Sequence, residues 1–193
     1  RDCGGAPLDL FAKWFRKKTH KHKIFIFGNH DVRQRRTVDN FDNTLLLHGS
    51  RTIMGLKVHG LSWDRSGNSY KIPANLDVLI THEPPYGVRD YTYNANNVGS
   101  KKLNRLLSKL GSKGPRLHLF GHVHEARGLA KDKEGRTIFA NVANANDGAA
   151  KRLEHGCMVF DFKIMSNGDR ILEVVKQSSD GVRSPEPRNF NQQ

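Results

Sequence analysis

The chain is poor in cysteine, in long apolar runs and in acid. Its two cysteines, Cys3 and Cys157, are too few for a disulfide framework, so the fold has to rest on a hydrophobic core. Reduced thiols also lead to the expectation of a cytoplasmic location. No stretch reaches the ~18 consecutive apolar residues of a membrane-spanning helix, so no membrane partner is expected. The 18 glycines follow no three-residue repeat, which excludes a collagen-like chain. With 193 residues and 36% hydrophobic content, the expectation is one domain over residues 1–176 and a flexible, Gln-, Ser-, Pro- and Asn-rich tail over 177–193. The first residue is Arg1, so a missing leader sequence carries no information.

The deficit of acid is matched by an excess of base. Thirty-two Lys and Arg against 19 Asp and Glu leave a formal charge of +13, a field that concentrates phosphate-bearing ligands. The basic residues are scattered in short groups, Arg16-Lys17-Lys18, Lys101-Lys102 and Lys151-Arg152 among them, and read as a solvated cationic surface. The expected partner is a small phosphoester or nucleotide. Nucleic acid is the less favoured partner, because no zinc-finger or GxxG clamp accompanies the charge.

Leu8, Phe11, Trp14 and Phe15 recur at helical spacing after Pro7, and Leu103, Leu106, Leu107 and Leu110 do so before Gly111. Three short apolar runs read instead as buried strands: Ile24 to Phe27, Leu76 to Ile80, and Leu117 to Phe120. Hairpin-like pieces surround them at Thr44 to Leu47, Arg51 to Met54, Lys57 to Gly60, Arg127 to Ala130 and Thr137 to Val142. Cys157 to Phe162 and Ile171 to Val175 flank a Ser166-Asn167-Gly168-Asp169 turn. The pattern predicts a layered α/β fold with a mixed sheet.

Each buried run ends on a polar group. Gly28-Asn29-His30-Asp31 follows the first, His82-Glu83-Pro84-Pro85 the second and Gly121-His122-Val123-His124 the third. Ligands of α/β sheets collect beyond the carboxyl ends of the strands. An amide oxygen and several imidazoles gathered there would suit a divalent Mn, Fe or Zn ion, and two such ions can hold and activate a phosphoester. His20, His22, His48, His59, His118 and His155 read as surface or core-edge residues, and Arg33, Tyr86 and Arg127 as surface residues.

With the motifs GNHD, THEPP and GHVH in this order, the chain resembles the calcineurin-like metallophosphoesterases. The runs HKHKIFIFGNHD, LITHEPPYG, LHLFGHVHEARG and NVANAN are similar to the metallophosphoesterase-domain-containing subgroup of class III cyclic-nucleotide-phosphodiesterase type. The resemblance implies a layered sandwich with mixed sheets flanked by helices, and a phosphodiesterase acting on small nucleotides or related phosphoesters through a metal-bound hydroxide. It also assigns residues. Asn29, His82 and His122 match ligands of the second metal, and His124 a ligand of the first. His30 matches the general acid that protonates the leaving group, with Asp31 orienting it.

The resemblance is incomplete at its start. No Asp-x-His precedes Asn29, and Asp2 follows Arg1 where the family has Gly before its bridging aspartate. The expectation is therefore a domain lacking its first N-terminal strand, either as a fragment or by true loss. Asp2, Asn29, His82 and His122 would make one metal site in this chain, against two in the family, with two-metal catalysis weak or absent. The alternative is a non-catalytic phosphate- or nucleic-acid-binding protein that retains the fold.

Overall fold

The structure, a computed structural model, describes residues 6–31, 45–46, 48–145 and 154–177. Asp2, Cys3, Arg33 and residues 178–193 lie outside the described residues. The chain forms two compact units, Arg1–Ala143 and Asn144–Gln193.

The first unit opens with helix α1, Ala6–Arg16. Its aromatic side leans on the run that follows: Ala12 and Phe27 are buried together, with Phe11 and Phe25 packed against them. Lys23 closes the helix, donating from Nζ to the carbonyls of Phe15, Arg16 and Lys18 at 3.2–3.3 Å. A cation there interacts favourably with the carbonyls at the end of the helix, Phe15 O also accepting from Lys18 N at 3.2 Å.

Strand β1 is only Ile24–Phe25, paired in parallel with β2, Leu45–Leu46. Two expectations are corrected here. The run Ile24 to Phe27 is half-buried except at Phe27, and within the expected hairpin piece Thr44 to Leu47 the described pair Leu45–Leu46 is a parallel partner, not a hairpin arm. The two pieces lie about twenty residues apart in sequence, so their pairing is set by tertiary packing.

The main sheet has six strands: β3 Gly49–Ile53, β4 Leu56–Leu61, β5 Val78–Thr81, β6 Leu117–Phe120, β7 Gly128–Lys131 and β8 Ile138–Asn141. Their order across the sheet is β3-β4-β5-β6-β8-β7. Strands β4, β5, β6 and β8 run parallel, and the edge strands β3 and β7 are antiparallel to their neighbours. Central β5 and β6 are buried apart from Ile80 and Leu119, which explains why their sequences are apolar without alternation.

Helix α2, Lys101–Leu110, connects β5 to β6. Ser100 caps it by accepting from Leu103 N, and Gly111 ends it at φ 50°, a left-handed conformation that glycine adopts without cost. Leu106 and Leu107 pack against a core of Leu61, Tyr70, Leu76 and Leu79, and Leu103 is fully buried. Burial of each of the buried leucines, Leu61, Leu76, Leu79 and Leu103, contributes ~1.5–3 kcal/mol.

One histidine expectation is also corrected. His118 lies within β6 at 0% exposure, because its ring fits edge-on between Phe120 and Phe139. The second unit holds the antiparallel hairpin β9, Met158–Ile164, and β10, Arg170–Gln177. No helix among the described residues is long and apolar enough to cross a membrane.

Candidate metal centre

Parallel neighbours β5 and β6 end at the same edge of the sheet, so the residues just after them are delivered side by side. His82 follows Thr81 and His122 follows Phe120-Gly121, and Gly121 N donates to His82 O at 3.0 Å, extending the ladder by one bond. The two imidazole centres are 4.8 Å apart with planes at 60°. His122 has φ 71°, and the residue after it closes a three-residue turn, Val123 N donating to Gly121 O at 2.8 Å. A side chain held at positive φ in so tight a turn stores strain that the surroundings must offset.

The third contributor arrives from β1. Phe27 N donates to Ser62 Oγ at 3.1 Å and Trp63 N to Phe27 O at 2.8 Å, which moor the Gly28–Asp31 turn beside the end of β4. Across this turn His82 Nε2–H donates to Asn29 Oδ1 at 2.8 Å. The approach depends on Gly28: a Cβ there would lie 2.6 Å from His82 Cε1. Asp31 closes the turn, accepting from Gly28 N at 2.8 Å, and thereby fastens the backbone on which exposed His30 sits.

Burial lowers the pKa of His82 to about 4, with smaller contributions from the nearby positive forms of His122 and His30. His122 is lowered too, by burial first and then by His124 and His30. The rings therefore favour the neutral form at pH 7, each with one nitrogen lone pair, which on His82 lies on Nδ1 while Nε2–H bonds Asn29. His30 and His124 thus act electrostatically on the His82–His122 pair. Among the described residues, no group of three or more His, Cys, Asp or Glu side chains is arranged to hold an ion.

The structure thus brings Asn29, His82 and His122 together and sets His30 and His124 nearby, while Asp2 lies outside the described residues. Oδ1 of Asn29 and Nε2 of His82 share a hydrogen bond at 2.8 Å, and ligation of one ion through both atoms would require the His82 proton to move to Nδ1. One oxygen and two imidazole nitrogens form a borderline donor set that fits Mn, Fe or Zn.

Several supporting residues escape a reading by motif. Asn141, fully buried at the end of β8, donates from Nδ2 to Val123 O at 2.7 Å and to Arg89 O at 3.2 Å, and accepts from Ala143 N at 3.1 Å. It ties the turn between His122 and His124 to the loop after β5. Glu83 receives Tyr70 Oη–H at 3.4 Å and is also bonded by the Ser100 side chain; burial raises its pKa, and burial also pushes the Tyr70 hydroxyl up to about 12. Within β6, His118 Nε2 meets Thr81 Oγ1 at 2.9 Å, and Thr81 spends its own proton on Glu83 O at 2.7 Å. The hydroxyl is then the acceptor, His118 carries its proton on Nε2, and the chain steadies the turn that bears His82. Only the Asn-rich stretch after Phe139 hinted at any of this.

Imidazoles at adjacent parallel strand ends, met by an amide oxygen from a neighbouring turn, lie at the strand-end edge where α/β folds collect their ligands. Residues 2–126 match the model of the calcineurin-like phosphoesterase family, and the chain belongs to that family.

Among its relatives, UPF0046 protein C25E10.12 of Caenorhabditis elegans is 31% identical over 64% of this chain and 56% of its own length. Metallophosphoesterase domain-containing protein 1 of Homo sapiens is 25% identical over 74% of this chain and 57% of its own length. UPF0046 protein T07D4.2 of Caenorhabditis elegans is 28% identical, covering 58% and 31% respectively. The chain spans about half the length, or less, of these curated relatives.

Proposed function

We propose that this chain is the hydrolytic domain of a phosphodiesterase of class III cyclic-nucleotide type, acting on small nucleotides or related phosphoesters. The observation that carries the reading is the convergence of Asn29 Oδ1, His82 and His122 beyond the sheet edge. A Mn, Fe or Zn ion held by these residues would supply polarisation of a phosphoryl oxygen and activation of water. The chain supplies the rest. Neutral His82 and His122 offer nitrogen lone pairs without displacing a proton from an imidazolium. His30, exposed beside them on a turn pinned by Asp31, donates its proton to the departing oxygen. His124, two residues past His122, would be a ligand for a further ion.

The test is leaving-group dependence. His30→Ala should lose about 10²–10⁴-fold in kcat on an alkyl phosphodiester and far less on bis(4-nitrophenyl) phosphate, whose leaving group needs little protonation. Equal losses on the two substrates would remove His30 from the acid role. The formal charge of +13 favours a second reading, a phosphate- or nucleic-acid-binding protein without turnover. Metal-loaded protein that binds nucleotide yet hydrolyses neither ester would establish that reading instead.

A further inference from the structure

The scattered basic residues are not all dispersed in space. Lys102, Arg105 and Lys109 stand three and four positions apart on α2, so they share one face at axial steps of about 4.5 and 6 Å. With Leu106 they form one wall of a groove of about 490 Å³, and Ser66 and Asn68 form the other. Among the described residues none of the three cations has a carboxylate partner. The one acid in the opposing loop is Asp64. Its oxygens are occupied by the backbone N and Oγ of both Ser66 and Ser69 at 2.8–3.0 Å.

The groove is built, not incidental. The stem of Lys102 lies over Gly67, where a Cβ would sit 3.4 Å from its Cδ, and its ammonium donates to Asn68 Oδ1 at 2.8 Å. Both walls are anchored on the loops of the metal centre. On the loop side, Trp63 N is bonded to Phe27 O, and Asp64 N donates to Tyr70 Oη, which in turn donates to Glu83. On the helix side, the cap residue Ser100 donates its N–H to Pro84 O, two residues past His82.

We propose that this groove is a phosphate-backbone site, which holds a single phosphodiester strand along α2 beside the hydrolytic centre. A row of cations at regular rise meets the repeating charge of such a strand. The groove-lining residues include no aromatic platform for bases, so recognition is of the backbone and independent of sequence. The choice of phosphate over carboxylate rests on the proposed phosphoesterase function. The groove itself does not depend on turnover.

The probe is a fluorescent twelve-nucleotide oligothymidylate, titrated in EDTA across a range of KCl. For single strands, log K falls by about 0.7 per log unit of salt for each phosphate neutralised. The triple variant Lys102→Gln/Arg105→Gln/Lys109→Gln should therefore bind at least 10-fold more weakly, with a slope shallower by about 2. Arg105→Gln alone should remove about 0.7. A charge-matched variant, Lys57→Gln/Lys131→Gln/Lys133→Gln, should behave like the parent.

No binding by the parent, equal loss in the two triple variants, or competition by polyglutamate as strong as by unlabelled oligonucleotide at equal charge would each overturn the proposal. Hydrolysis of bis(4-nitrophenyl) phosphate, measured separately with Mn²⁺, should be unchanged in the groove variant. Absence of hydrolysis in the parent would defeat the enzymatic reading and leave the EDTA titration to decide the groove.

Discussion

Gly28 shows how a single missing side chain shapes the centre. Its backbone has no need of glycine's conformational range; the demand is purely for space, because the His82 ring occupies the volume a Cβ would take. Gly28→Ala should therefore move the ring from Asn29, costing ~1–3 kcal/mol as an overpacked contact. Metal affinity should drop about 10-fold or more, since two ligand atoms lose their mutual placement. Denaturant melts and Co²⁺ or Zn²⁺ titration monitor the two effects, and a variant with parental affinity would show that the ring can yield. From the sequence, Gly28-Asn29 reads as a turn; that the glycine faces an imidazole more than fifty residues away follows only from packing.

At the scale of elements, the parallel arrangement of β5 and β6 aligns the two histidines, and the end of β8 locks their loops. Asn141 answers the carbonyls of Val123 and Arg89 from one buried amide. Asn141→Leu fills the same volume but leaves both carbonyls unpaired, a cost of ~1–3 kcal/mol for each buried group. Asn141→Asp places oxygens against those carbonyls and should be worse. Either variant should weaken divalent metal binding by about 10–100-fold, in keeping with residues that orient ligands from behind. Urea denaturation combined with Co²⁺ absorption separates the stability loss from the metal loss; unchanged metal affinity in a folded Asn141→Leu protein would confine the amide to a stability role.

The helices and the hairpins β3–β4, β7–β8 and β9–β10 were legible because local period and turn chemistry specify them. The parallel pairing of Ile24–Phe25 with Leu45–Leu46 was not, since it joins segments about twenty residues apart that no local period or turn links.

For the molecule as a whole, protonation and charge act in the same direction. His118 is pushed down to about 3 by burial, and burial also dominates the shift of His82 to about 4; both take up a proton only on unfolding near pH 6. Their folded values lie below the unfolded 6.5, so their contribution is complete above pH 6.5 and is lost as pH falls toward 4 and then 3. Each proton taken up on unfolding contributes a slope of ~1.4 kcal/mol per pH unit. The growing positive charge on a chain already at +13 adds repulsion that unfolding relieves. Stability of the Arg1–Ala143 unit should thus decline steeply between pH 6.5 and 4, and His118→Gln, which keeps a donor for Thr81, should flatten that decline. Parallel pH profiles for parent and variant would show that His118 is not among the groups responsible.

What the sequence by itself determined is the set of local instructions: apolar runs that must be buried, glycines and polar groups that end them, and hence Asn29, His82 and His122 at strand termini. Those follow from periodicity and turn chemistry within a few residues. Only the tertiary structure decided which of these termini meet, that Gly28 must stay empty for His82, that His118 is sealed between aromatic rings, and that three of many basic residues line one groove. Each of these depends on contacts between distant segments, whose identity is fixed by shared burial and excluded volume and leaves no mark in local spacing.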